Sequence, residues 1–368
     1  TRQGRWRLFE RLPASTFSLV ESIGLGYAGS LLGRTSGFLG GTPEAHRSAW
    51  GDGEWQRLSP QLPAMSLAQK TELAARILQA MGLSGQVPEL LVLIGHGSQS
   101  ANNPQAAGLD CGACCGQSGE VNTRLLAGLL NDAEVRTELR SRGHELPAHC
   151  QVLAGLHNTS TDEVRIFGQQ HLPAALQPAW QRLRQALDQA AVRVRQERAE
   201  ALGLAAAREQ PGKLLDLLRR RARDWAQTRP EWGLAGNAAF IAAPRARTRD
   251  VDLQGRAFLH DYDWRQDSEG SVLELIMTAP MVVAHWINLQ YFTSTTDNLR
   301  FGSGNKLLHN VVGGHIGVFE GNGGDLRIGL ARQSLHDGQQ WMHRPLRLHV
   351  VIEAPQAMSR SEERRVGK

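Results

Sequence analysis

The stretch PELLVLIGHG, residues 88–97, restricts the fold of this chain more than any other feature. An unbroken run of Leu, Val and Ile has no polar face to give to water. As a strand it must be covered on both sides, the situation of a parallel sheet flanked by helices. The glycines around His96 mark where it stops. GEVNTRLLAGLLNDAEVRTELRSRG follows, with Val121, Leu125, Leu126, Leu129 and Leu130 at helical spacing and Gly143 as the stop signal. HCQVLAGLHNTSTDEV then reads as a second strand running into a polar loop. Strand, glycine loop, helix and strand make one βαβ unit with an expected right-handed crossover. Residues 89–170 are therefore expected to form an α/β core.

Around this core the chain divides into stretches of different character. Residues 1–88 read as helical, and SLAQKTELAARILQAMGL carries a serine cap at its start and Gly82 at its end. Residues 171–233 are helical and dense in charge. Their cluster Arg219, Arg220, Arg221 and Arg223 reads as a solvated face in preference to an anion site. Residues 234–355 are mixed α/β and rich in glycine, with LRLHVVI as an alternating strand. The charged end, residues 356–368, reads as a non-native tail and is left out of fold reasoning. The chain opens on Thr1 without an initiator methionine, which predicts that it is part of a longer protein.

Composition narrows the functional classes. Of 368 residues, 41 are Lys or Arg and 36 are Asp or Glu, a net charge of +5. That excess is small, and the clustered basic and aromatic residues of a nucleic-acid binder are missing, so no nucleic-acid partner is expected. SVLELIMTAPMVVAHWINLQYF is the most apolar stretch. Glu274, Pro280, His285, Asn288 and Gln290 interrupt it, so burial in the protein's own core is expected before a membrane span. The cysteines are Cys111, Cys114, Cys115 and Cys150. Three of them lie within five positions, which suits a reducing compartment with thiols free for metal better than a disulfide framework.

His96 and Cys111 are the candidate metal ligands. In open α/β sheets ligands sit beyond the carboxyl ends of the strands, where His96 is placed. Cys111 lies in the loop leading to the next helix, whose amino terminus favours a thiolate. Imidazole and thiolate together suit Zn2+. Plainer readings stand beside this one. A strand-end histidine serves more often in a hydrogen bond, and a cysteine in a glycine loop is often a small filler. Cys111 and Cys114 also form a C-x-x-C pair, the format of a thiol redox couple, although Cys115 crowds it. His157 and Asp162, at the end of the second strand, line the same crevice or belong to an ordinary strand end with a Thr-Asp helix cap. His309 and His315 lie in glycine-rich loops and are weaker candidates.

GHGSQSANNPQAAGLDCGACCG, LHNTSTDEV, TAPMVVAHWINLQYFTSTTDN, GSGNKLLHNVVGGHIGVFEGNGGDLRIGL and QSLHDG occur in this order. Through them the chain resembles the DabA family, soluble subunits of bacterial inorganic-carbon uptake systems related to β-carbonic anhydrases, over about residues 5–355. The resemblance implies a partial β-carbonic-anhydrase-like parallel sheet and a zinc held by a Cys-x-Asp pair plus a later histidine and cysteine. His96 and Cys111 fall on the last two positions. No cysteine here has an aspartate two positions on, so the other half of the site is expected upstream of Thr1.

The chemistry implied is CO2 hydration, with zinc lowering the pKa of water to about 7. Four protein ligands close the shell, so the aspartate has to leave, drawn off by an arginine that is also absent here. The resemblance further implies a membrane partner, DabB, similar to cation-translocating antiporter subunits. It places the protein on the cytoplasmic face of the inner membrane, where hydration traps bicarbonate. A docking role for residues 271–292 on that partner is the alternative to core burial. A non-catalytic interaction subunit with structural zinc, or a thiol redox protein, are the competing functions.

Overall fold

The computed structural model describes residues 60–83, 87–100, 118–144, 146–224, 234–302, 309–312, 317–320, 326–327 and 329–356, with a few isolated positions besides. Cys111, Cys114, Cys115 and His315 lie outside the described residues, as do almost all of residues 1–59 and 357–368. The fold is α/β, with helices packed on small sheets, one parallel, one mixed and one antiparallel.

The first sheet holds β1 (Leu90–Gly97), β2 (Gln151–Asn158) and β3 (Glu163–Phe167), in that order. β1 and β2 are parallel, in register from Leu90 opposite Gln151 to Gly97 opposite Asn158. β2 is central and nearly all buried, as its continuous apolar run requires. Among the described residues β1 pairs with β2 alone, and Ile94 on it is 45% exposed.

One face of this sheet carries α1 (Leu67–Ala80), α2 (Glu120–Asn131) and α3 (Ala133–Ser141), packed through Ala74, Leu78, Leu130, Val135 and Leu139 against Leu93 and Val152. Ser66 caps α1, as the sequence predicts, and the structure adds Gln69 to complete a capping box. The other face packs Leu153, Val92 and Ile166 on Leu172, Leu176 and Trp180, at the start of α4 (Gln177–Arg198). α5 (Pro211–Arg223) packs beside α4 through Leu214 and Leu218.

Two local expectations are corrected here. The helical stretch toward Gly143 is not continuous: Asp132 adopts an extended backbone and accepts hydrogen bonds from the N–H groups of Glu134 and Val135. An aspartate that can satisfy these donors starts a new helix at little cost. The break serves packing, because Asn131, at the end of α2, exchanges hydrogen bonds with the backbone of Val152 at the start of β2 (Nδ2 to O, 2.8 Å; Oδ1 from N, 3.1 Å). The second correction concerns residues 159–167. Thr161 and Asp162 cap no helix. They form the tip of a hairpin that returns as β3, antiparallel to β2 from Asn158 opposite Glu163 to Ala154 opposite Phe167.

The second sheet is wholly parallel: β4 (Ala239–Ala243) lies between β5 (Ala257–Asp261) and β9 (His349–Ile352). The alternation expected for LRLHVVI does not appear in β9, where His349, Val350 and Val351 are all exposed. α6 (Ser271–Thr278) and α7 (Pro280–Thr296) pack on this sheet through Leu273, Ile276, Met277 and Ala284. They join almost directly, with a kink at Pro280, which lacks the amide needed to continue the ladder. By length and composition residues 271–296 qualify as a membrane span, against the sequence expectation, yet only a third of the most apolar window is buried within the protein. The glycine-rich stretch supplies a third, antiparallel sheet of β6 (His309–Val312), β7 (Gly317–Glu320) and β8 (Leu326–Arg327).

Candidate metal centre at the carboxyl ends of β1 and β2

His96 stands one residue from the carboxyl end of β1, opposite His157 on β2. Paired residues of a parallel ladder point to the same face, and alternation places both imidazoles on the face covered by α4. The opposite face at this level belongs to Gly95. A Cβ there would lie 2.8 Å from the carbonyl oxygen of Gly119, so the strand end and the start of α2 meet backbone to backbone. The Gly119 N–H donates to the carbonyl of His96 at 2.8 Å. The start of α2, at Gly119, thus sits directly against the end of β1 at His96.

His96 keeps an exposed surface. Desolvation by the surrounding protein, and then the neighbouring His157, hold its pKa below the ordinary histidine value. Both effects act in one direction, so the ring is neutral at pH 7 and carries the lone pair that a metal requires.

His157 is tied down from behind. Its Nε2 lies 3.2 Å from Oδ1 of Asp162, and the carboxylate accepts, which puts the ring proton on Nε2. Asp162 is buried, has φ of +55°, and accepts from Arg198 Nη1 at 2.5 Å through its other oxygen. Arg198 also donates to Thr159 O, and Arg195 donates to the carbonyls of Thr161 and Asp162. Glu163 pairs with Arg219 from α5. At the hairpin tip Arg198 therefore pairs with the Asp162 carboxylate and Arg195 holds two backbone carbonyls, while Arg219 lies between Glu163 and Asp216. The two strand ends are laced together by Thr159 N–H to Gly97 O, Gln99 N–H to Ser160 Oγ, and Asn158 Nδ2 to Gln99 Oε1.

Sequence reasoning found His96, His157 and Asp162 but missed the arginines that hold them. Of the cluster read as a solvated face, Arg220 and Arg223 are exposed; Arg219 binds Glu163, and Arg221 donates to the carbonyl of Leu202. Arg195 and Arg198 lie three apart on α4 and turn one side inward, a spacing that was available in the sequence. Buried Glu120, paired with Arg124 at 3.2 Å in the first turn of α2, was also missed.

Among the described residues no group of three or more His, Cys, Asp or Glu side chains is gathered to hold a metal ion. His96 fits one ligand position, with its neutral ring at a strand end. Asp162 does not fit, because both its oxygens are engaged. Cys111 lies outside the described residues. His309 lies in β6, away from this sheet's ladder.

Fold and site together define an α/β protein with two histidines side by side at the carboxyl ends of a parallel β-pair. The family described as "Probable inorganic carbon transporter subunit DabA" matches residues 1–364. The chain belongs to the DabA family. A relative from Ectopseudomonas mendocina (strain ymp) bearing that description is 72% identical over 97% of this chain and 44% of its own length. One from Paracidovorax citrulli (strain AAC00-1) is 59% identical over 96% of the chain and 43% of its own length. One from Vibrio cholerae serotype O1 (strain M66-2) is 54% identical over 95% and 42%. The chain thus spans less than half the length of these curated relatives. No solved structure matches it.

Proposed function

We propose that this chain is part of a subunit of an energy-coupled inorganic-carbon uptake system, in which His96 and Cys111 supply two ligands of a zinc site that hydrates CO2. The remaining ligands would come from the part of the family protein outside this chain. The observation that carries the reading is the strand-end imidazole of His96, set in parallel register beside His157, with the start of α2 seated on its carbonyl through the Gly119 N–H. Family membership supports the inorganic-carbon role, since the relatives carry that description.

A zinc ion held there would supply Lewis acidity and lower the pKa of water. The chain's own residues prepare the surroundings. His96 offers an unprotonated nitrogen. Asp162 fixes the tautomer and angle of His157, the kind of support that carboxylates give to histidines near metals. In this reading the subunit sits peripherally on the cytoplasmic side of the inner membrane, against a membrane-embedded partner of the DabB kind, and hydration traps bicarbonate in the cytoplasm.

The test uses the full-length subunit with its membrane partner, comparing wild type with His96→Ala and Cys111→Ala. Zinc content by mass spectrometry and uptake of labelled inorganic carbon should both fall at least tenfold, with assembly intact. Full zinc retention in both variants would remove these residues from the metal. Zinc loss that dissolves the complex would favour a structural metal instead.

A further inference from the structure

The kinked α6–α7 helix has two apolar faces, and the protein's body uses one. Ala284, Ile287, Asn288, Tyr291 and Ser294 turn inward and are buried. On the opposite side Val282, Trp286 and Leu289 follow one another at i, i+4 and i+7, and are 50%, 44% and 39% exposed. This is the spacing of a helix-pairing seam. No Asp, Glu, Lys or Arg occurs from 275 to 296.

Three observations select what covers the seam. Its 3.5-residue period is matched by the ridge of another helix. Its lack of charge argues against a helix lying on a lipid surface, which carries Lys or Arg along its polar side, and against a water-soluble coiled-coil partner, which is matched by flanking charges. Its other face is fastened to the protein. Asn288 Nδ2 donates to Asn237 O, Asn237 Oδ1 and Leu346 O at 3.2, 2.9 and 3.0 Å, and Ser294 Oγ accepts from the Leu330 N–H at 3.0 Å. A segment anchored in this way stays with the body and does not insert as a span, despite its length.

We propose that the Val282–Trp286–Leu289 stripe docks an uncharged, apolar α-helix of the transporter's membrane-embedded subunit. The inference rests on the proposed function for the existence of that subunit, and it assigns the surface that meets it.

The experiment uses the full-length subunit co-expressed with its membrane partner. A photoreactive phenylalanine analogue replaces Trp286, and in a second variant Val282, and cross-linked peptides are identified by mass spectrometry. Cross-links to an apolar helix of the membrane subunit are expected. Cross-links only to the same polypeptide, to a second copy or to lipid, or none from either position, would overturn the proposal. In parallel, Trp286→Glu should lower co-purification with the membrane subunit at least tenfold, because a charge is forced into an apolar contact. The melting temperature of the subunit should stay unchanged, as expected for a surface position. Leu289→Gln is read in its place if Trp286→Glu melts early, and undiminished co-purification of a folded variant also overturns the proposal. The two ideas fail separately. A wild-type complex that assembles but takes up no inorganic carbon defeats the proposed function and leaves the docking surface standing.

Discussion

Replacing Gly95 by alanine tests whether the His96 strand end is seated on α2 as described. The new Cβ would stand 2.8 Å from the Gly119 oxygen and 2.9 Å from its carbonyl carbon and Cα, where ordinary contact begins at 3.4 Å. All three atoms are backbone, so no side chain can rotate away, and strand and helix must part by about 0.5 Å. Parting also strains the 2.8 Å hydrogen bond from Gly119 N–H to His96 O. Overpacking of this kind costs about 1–3 kcal/mol. Loss of glycine's freedom in the unfolded chain returns about 0.4–1 kcal/mol, leaving a net loss of about 1–2 kcal/mol. Gly128 is the internal control. It lies within α2, is exposed, and a Cβ there meets nothing within 4 Å. Gly128→Ala should therefore gain about 0.5–1 kcal/mol from helix propensity alone. Urea unfolding monitored by circular dichroism, with the slope unchanged between variants, reads both effects. If Gly95→Ala proves as stable as Gly128→Ala, the backbone contact does not exist, and the seating of α2 on His96 falls with it.

Asp162→Asn keeps the size of the side chain and tolerates the left-handed backbone, but removes the charge facing Arg198. Breaking a buried pair on one side should cost about 3 kcal/mol, read as a lower urea midpoint, and a midpoint equal to wild type would refute the network. His343 is fully buried, accepts from the Gly236 N–H through Nδ1, and is pushed down from 6.5 to about 4 by burial and, second, by Arg256. Between those values the unfolded chain binds the proton and the folded one does not, so stability must fall as pH drops from 6.5 toward 4, by about 3 kcal/mol in total. Urea midpoints across that range for wild type and His343→Gln would show it; parallel pH profiles for the two would refute it.

The features read from sequence were those with a local cause. LLVLIG and QVLAGL announce strands by their apolar runs, but only QVLAGL is buried as expected; β1 is half-buried and leaves Ile94 45% exposed. Ser66 announces the start of α1 as a cap, and the apolar run before His96 places it at a strand end. The features missed have causes far away in the chain. β3 is a short EVRIF segment whose pairing with β2 depends on the turn at Asp162, and that turn depends on Arg195 and Arg198 from another helix. The break at Asp132 went unread because Leu129 and Val135 both suit a helix, and only the tie from Asn131 to Val152 rewards stopping between them. The apolar stretch 271–292 was read as core, which holds for one face of α7. Single-sequence reading does not separate two apolar faces when both lack charge.

Residue 162 answers to two masters. Its left-handed backbone admits glycine, asparagine and aspartate at little cost, whereas Arg198 and His157 ask for a short carboxylate. Glycine meets the first demand and fails the second, asparagine meets it without the charge, and glutamate brings the charge on a longer arm with a poorer backbone fit. Aspartate alone satisfies both, so a library saturated at this codon and selected for folding should return to a single amino acid.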